Sequence, residues 1–369
     1  MRKILDPSFD TSRVRDLRGK EADDFLNLTL KVVDKLRLLV EEEDRRDLTL
    51  DSFKATHQFE MARLVNAHYL TISVSEASGV LPSSLTISGV AYARSKEPLP
   101  VGVSSDIYQC LHYGCKVAVK RRRVYRSFNL EWISIVRRCW HQEALLWRGL
   151  SHPHILPFLG VDIGQPDMAF EPGVETELFV TLVSPWMEHG TLTEYLKTTG
   201  SLSTDVDTLL LEVALGLRYL HSRQIIHGNL TPANIYIDDA GHVRLAEFGL
   251  SVFRQQGHDE CRVSPRFMAP ELLRSSGITP ASDIYSFSLV CVEAYTLQRP
   301  FPDVKLHVVA ISQVLHGKRP GRPPRDPSKP MMSDSLWSLI QWCWEEKPTN
   351  RPTIGSVIAS LRLCKEIGR

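Results

Sequence analysis

The side chains with chemical potential fall in short clusters along the chain. They are VAVK ending at Lys120, Glu143 in a helical stretch, HPHILPFLG from His152, and IIHGNLTPAN with His227, Asn229, Thr231 and Asn234. AEFGL with Glu247, MAPELL with Glu271, SDIYSFS with Asp283 and NRPT with Arg351 follow. Ammonium, carboxylate and amide groups offer ion pairs, oxygen ligands for a hard cation and hydrogen-bond donors. The Asn229 amide beside His227 has no protonation equilibrium near neutral pH, so it cannot serve as a base. Thr231 donates one hydrogen bond and brings no charge. The seven cysteines, Cys110 to Cys364, include no C-x-x-C pair, so neither a zinc cage nor a disulfide framework is indicated. Free thiols in a reducing compartment are expected.

In this order and spacing the clusters resemble the landmarks of the protein kinases. The His-Gly before position 229, the LVSPWMEHG segment and the upstream LRGKEADDFL are similar to the tyrosine-kinase-like group of fungal type. The resemblance implies an α+β, bilobal protein-kinase fold: a small β-rich lobe and a larger α-helical lobe. It also implies roles. Lys120 holds nucleotide phosphates and Glu143 pairs with it. Asn234 and Glu247 stand at the metal-ligand positions, for magnesium. Gly102, Ile107, Ala118, Ser184, Met187 and Tyr236 fall on nucleotide-pocket positions. Tyr236 either fills that pocket or packs under an adenine. His227, Glu271, Asp283 and Arg351 match scaffold positions, with Glu271 and Arg351 as a buried ion pair.

The departures from the kinase pattern fall on catalysis. Asn229 replaces the aspartate that accepts the substrate hydroxyl proton. Thr231 replaces a lysine that neutralises the transferred phosphoryl group. Glu247 replaces an aspartate, and its extra methylene displaces the charge. In the phosphate-covering loop, Pro100, Gly102 and Ser105 align with three glycines, and one glycine survives. Pro100 lacks an N–H and Ser105 adds a Cβ. Ser251 and Ser264 are the hydroxyls of the activation-loop equivalent, and Ser264 matches a residue that positions the catalytic loop.

These residues need elements to position them. Residues 16–78 carry apolar side chains at helical spacing: Phe25, Leu28, Val32, Leu36 and Leu39, then Phe59, Ala62, Val65 and Tyr69. The charged run 41–46 should break the helix. Two such helices cannot bury their stripes alone, so docking on the following domain is expected. Gly, Pro and Ser then punctuate 77–84 and 98–103. DIYQCL, CKVAVK and LFVTLVSPW read as strands, and the pattern turns mostly helical after Gly190. The expected division is a helical extension over 1–85 and a kinase-like domain over 86–369, split near residue 187. The proline-rich stretch 317–330 reads as a loop between helices, and Lys120 to Arg123 with Arg126, Arg137 and Arg138 as a solvated basic face.

With 369 residues, 43% hydrophobic and 24% charged, the chain has the composition of an ordinary globular protein. A formal net charge of +1 supplies no field for nucleic acid or an acidic membrane. No signal-peptide or membrane-length apolar run stands out, so a cytoplasmic or nuclear protein is expected. The function expected is a pseudokinase that works as a binding or allosteric signalling module through protein partners. ATP binding would be weakened and magnesium binding impaired. The rivals are an atypical active ATP-dependent serine/threonine or tyrosine kinase, and a structural interaction protein with an occluded pocket.

Overall fold

A computed structural model describes residues 12–44, 51–92, 105–122, 130–163, 181–200, 204–248, 252–253, 264–274, 276–323 and 331–367. Two compact units divide the chain: Met1–Ser151 with Pro157–Trp186, and His152–Leu156 with Met187–Arg369.

The first unit holds helices α1 (Ser12–Arg15), α2 (Gly19–Asp44) and α3 (Asp51–Ser78), then strands β1 (Val90–Ala91), β2 (Ser105–His112) and β3 (Cys115–Arg122). Helix α4 (Leu130–Arg148) and strands β4 (Gly160–Asp162) and β5 (Thr181–Pro185) complete it. The sheet is antiparallel, in the order β1-β2-β3-β5-β4. Alternation of period two sets its faces. Val117 and Val119 bury one face of β3 against Cys110 and Val183. Ala118 and Lys120 therefore take the other. Ile107 lies opposite Lys120, and Ser184 opposite Ala118, so these four share that second face.

Helix α2 ends at Asp44, inside the charged run. It packs on α3 through Val33, Leu36 and Val40 against Met61, Leu64 and Ala67. Leu26, Leu70 and Val74 form a second cluster. The stripes read from sequence need correction. Leu28 is 49% and Phe59 61% exposed, and Leu39, Ala62 and Tyr69 are exposed too. Helix α2 carries leucines on several faces, and its partner α3 selects the one through Leu26, Val33 and Leu36. Helix α3 meets α2 through Met61, Leu64, Ala67, Leu70 and Val74, and it also packs on α4 and buries His68, Thr71, Ser73 and Ser75, so an apolar stripe marks only one of its two covered faces.

The second unit contains α5 (Leu192–Thr199), α6 (Val206–Ser222), β6 (Ile225–Ile226), β7 (Ile235–Ile237), β8 (Val243–Leu245) and β9 (Val252–Phe253). Helices α7 (Pro270–Leu273), α8 (Pro280–Thr296), α9 (His307–Leu315), α10 (Asp334–Cys343) and α11 (Ile354–Ile367) follow. Asp205 caps α6 by accepting from the Thr208 N–H at 3.0 Å, and Ser333 caps α10 the same way at Leu336. Helix α8 is buried on nearly every side, from Ser282 to Val292, and packs on α5, α6 and α10. The described part of the proline-rich stretch, 317–323, lies between α9 and α10 outside any helix. Among the described residues, no helix is long and apolar enough to cross a membrane.

Candidate functional site

In the first unit, Lys120 Nζ meets Glu143 Oε1 at 2.6 Å, and both residues are buried. Helix α4 delivers Glu143, and one turn earlier it delivers Trp140, whose ring centroid lies 5.1 Å from the ammonium. A cation over an aromatic face is stabilised by the ring quadrupole. Sequence reasoning missed Trp140; its spacing of three from Glu143 is the available signal. Ile107 and Ser184 are buried on the Lys120 face of the sheet, and Ala118 is half-buried. Ser105 opens β2 opposite Arg122. Pro100, Gly102, Arg123, Arg126 and Ser251 lie outside the described residues.

In the second unit, Asp283 organises the loop that follows β6. Its Oδ2 accepts from the His227 backbone N–H and its Oδ1 from Gly228, each at 2.9 Å. His221 Nε2 reaches Oδ2 at 2.8 Å. That histidine was also missed, because a lone histidine in LHSRQ carries no pattern. His227 is fully buried. Its Nδ1 accepts from the Asn229 N–H (3.2 Å), so Nε2 carries the proton and donates to the Ala246 carbonyl (3.0 Å). Both nitrogens are thus engaged by backbone. Burial lowers the pKa of this imidazole and keeps it neutral.

Asn229 is half-buried, and its Oδ1 accepts weakly from the Ser264 backbone N–H at 3.4 Å. Its carbonyl accepts from Asn234 Nδ2 at 2.7 Å, which closes the loop. Thr231 is only 3% exposed, so almost no surface is presented where the resemblance wants a projecting lysine. Next to Ser264, the buried Arg266 donates to the carbonyls of Pro300, Phe301, Val304 and Lys305.

Antiparallel pairing of Ile235 with Leu245 places Asn234 and Glu247 at one end of the β7–β8 hairpin. The Ala246 N–H donates to the Asn234 carbonyl at 3.0 Å and locks that end. Glu247 has φ +67°, a left-handed conformation that a glutamate adopts at a cost. Ala246, held by His227 and Asn234, and buried Phe248 hold it from both sides. With Nδ2 of Asn234 committed, its amide oxygen and the Glu247 carboxylate are the oxygen donors a hard cation would meet. They suit Mg²⁺, which takes one or two protein ligands beside substrate phosphates. Among the described residues, no group of three or more His, Cys, Asp or Glu gathers as a metal cage. Tyr236, half-buried, sits mid-strand in β7 opposite Arg244. Met187 opens this unit half-buried, its carbonyl accepting from the Gly190 N–H. Glu271 and Arg351 form a two-pronged ion pair, with both contacts at 2.7 Å.

Buried neutral histidines give a pH prediction. Burial, then the Arg137 charge, pushes His141 of α4 down to about 4. The unfolded state takes up a proton near pH 6.5 that the folded state refuses until about pH 4, so stability falls as pH falls through that window. His141 alone should remove about 1.4 kcal/mol per pH unit there. Melting temperatures measured from pH 7.5 to 4.5 should decline below pH 6.5, and a flat profile would contradict the assignment.

The geometry can be set beside known proteins. The protein kinase domain family matches residues 94–361. Serine/threonine-protein kinase 12 of Arabidopsis thaliana is 34% identical over 234 residues, covering 61% of this chain and 47% of the relative. Serine/threonine/tyrosine-protein kinase HT1 of the same plant is 28% identical over 269 residues, 70% of this chain and 63% of HT1. A putative serine/threonine-protein kinase/receptor, R818, of Acanthamoeba polyphaga mimivirus is 30% identical over 215 residues, 58% of this chain and 12% of the relative. The match thus spans less than two thirds of each relative's length. The Lys120–Glu143 pair, the Asp283-anchored loop and the Glu271–Arg351 pair lie inside the matched range, and the chain belongs to the protein kinase family.

Proposed function

We propose that the chain is a pseudokinase of the tyrosine-kinase-like, fungal-type group, a nucleotide-responsive signalling module with weak or absent phosphotransfer. The observation that carries this reading is the contrast inside one fold. Lys120 and Glu143 keep their 2.6 Å pair, while the base position is an amide engaged with Ser264. Losing a general base alone costs about 10² to 10⁴ in rate. Buried Thr231 adds no charge for the phosphoryl group. Such a module acts through protein partners in the cytoplasm or nucleus.

When bound, magnesium would supply charge neutralisation of nucleotide phosphates. Asn234 and Glu247 would hold it, and the bond to the Asn229 carbonyl orients Asn234 for that role. This oxygen pair favours a second reading, an atypical active kinase that works without a base. Phosphoryl transfer depends chiefly on positioning and electrostatics, so some turnover without a base is physically coherent. The intact Lys120–Glu143 pair weighs against an empty structural scaffold.

Thermal stability measured with ATP, with and without Mg²⁺, tests the nucleotide part. At 100 times its dissociation constant, a ligand adds about 2.7 kcal/mol of stability. A rise of that order is expected for the parent chain and its loss for Lys120→Ala. No shift at millimolar ATP would overturn nucleotide binding.

A further inference from the structure

Helix α4 packs on α3 and is tied to α2 at its last turn. Near its middle, the Ser75 hydroxyl of α3 lies 3.3 Å from His141 Nδ1. Ser75 already donates to the Val80 carbonyl at 2.6 Å, so its oxygen accepts and His141 Nδ1–H donates. At the last turn, Arg148 grips Asp34 of α2 with both terminal nitrogens, each contact 2.8 Å. Just beyond, α3 comes so close that a Cβ on Gly149 would lie 2.0 Å from the His68 ring. On the N-terminal side, the Arg137 guanidinium lies 3.3 Å from where a Cβ on Gly79 would sit. Glu143 stands between these fastenings.

We propose that the α2–α3 hairpin is the positioning element for Glu143, with Asp34, Ser75 and His68 as its positioning residues. The inference rests on the reading that the Lys120–Glu143 pair serves nucleotide binding. A helix is stiff over two turns, so fastening residues 141 and 148, with the close approach of His68 at Gly149 just beyond, fixes the rotation and the height of residue 143. A two-pronged arginine–carboxylate pair adds angular definition that a single contact lacks. A signal that loosens the hairpin would then reach Lys120 through α4.

The test uses the full chain and three readouts. Asp34→Ala with Ser75→Ala should speed acylation of Lys120 by an amine-reactive probe without nucleotide. It should also speed amide exchange in α4, while α8 amides stay protected. Coupling between elements commonly spans 5- to 150-fold, so about tenfold is expected in each, with a matching loss of ATP affinity. Asp34→Arg with Arg148→Asp should restore much of the effect lost on Asp34→Ala alone. If the double variant unfolds, Arg148→Lys removes the fork while keeping the charge. Unchanged Lys120 labelling and α4 exchange beside a loosened α2–α3 would overturn the proposal. Altered labelling in a chain that never binds ATP would uphold it and remove the nucleotide reading instead.

Discussion

Asn229→Asp, Thr231→Lys and Glu247→Asp, made together, are expected to raise phosphotransfer by roughly 10³- to 10⁶-fold. Each change alone should contribute only about tenfold to a hundredfold, less than a base is worth in an intact site, because the other two losses remain and such residues act non-additively. The loop is already shaped for the change at 229. Its backbone is anchored by Asp283 through His227 and Gly228, and that anchor is indifferent to the side chain at 229. An aspartate there keeps an oxygen for the Ser264 N–H and gains a second one for a substrate hydroxyl proton. At 247 the backbone is already held at φ +67°, and shortening the side chain draws the carboxylate back by one methylene. Thr231 is buried, so a lysine must leave the loop along a new path; this is the change with the largest structural demand. Single-turnover assays on a generic protein substrate read the result. A triple variant that binds ATP as the parent does but transfers no faster would move the block to the glycine-poor loop of Pro100 and Gly102.

Glu271→Ala should destabilise the second unit by about 3–5 kcal/mol, the cost of leaving a buried charge without its partner. The Arg351 side chain is fully buried. Beyond Glu271, it donates to the carbonyls of Ala281, Glu345 and Glu346, and it lies 5.1 Å over the Tyr285 ring. Those contacts fix the guanidinium in place, so it cannot swing to water when the carboxylate is removed. Urea denaturation should show the lower midpoint. A loss below 1 kcal/mol would mean that the charge finds water, contrary to its burial. The nucleotide response of any variant that stays folded should persist, because Glu271 and Arg351 are scaffold residues and hold none of the nucleotide-pocket or magnesium positions.

How far these features were legible in the sequence depends on what each one needs. The strand CKVAVK declared itself, because alternating Val117 and Val119 can only bury one face, and that leaves Ala118 and Lys120 on the other. The scaffold side chains Asp283, Glu271 and Arg351 stood in recognisable motifs, so their positions were legible even though their bonds join segments far apart in the chain. His221 and Trp140 did not stand out. Each acts on a residue brought to it by folding; Trp140 has only its helical spacing from Glu143 as a signal, and His221 has none. The covered faces of α2 and α3 were misread for a related reason. Apolar residues surround α2, and small and polar residues such as Ser75 and His68 make the contact with α4. The left-handed backbone at Glu247 had no sign at all, since glutamate is a poor choice for that conformation.

On the proposed reading, the kinase scaffold is kept while the chemistry at the phosphate end is lost. Turnover of ATP-dependent transfer, compared among the parent chain, Asn229→Ala and Lys120→Ala, tests it most directly. Typical kinases run at about 1–100 s⁻¹. The expected result is transfer at least a thousandfold below that range in all three proteins, alongside ATP-dependent stabilisation of the parent. Turnover in the typical range that survives Asn229→Ala and vanishes with Lys120→Ala would contradict it.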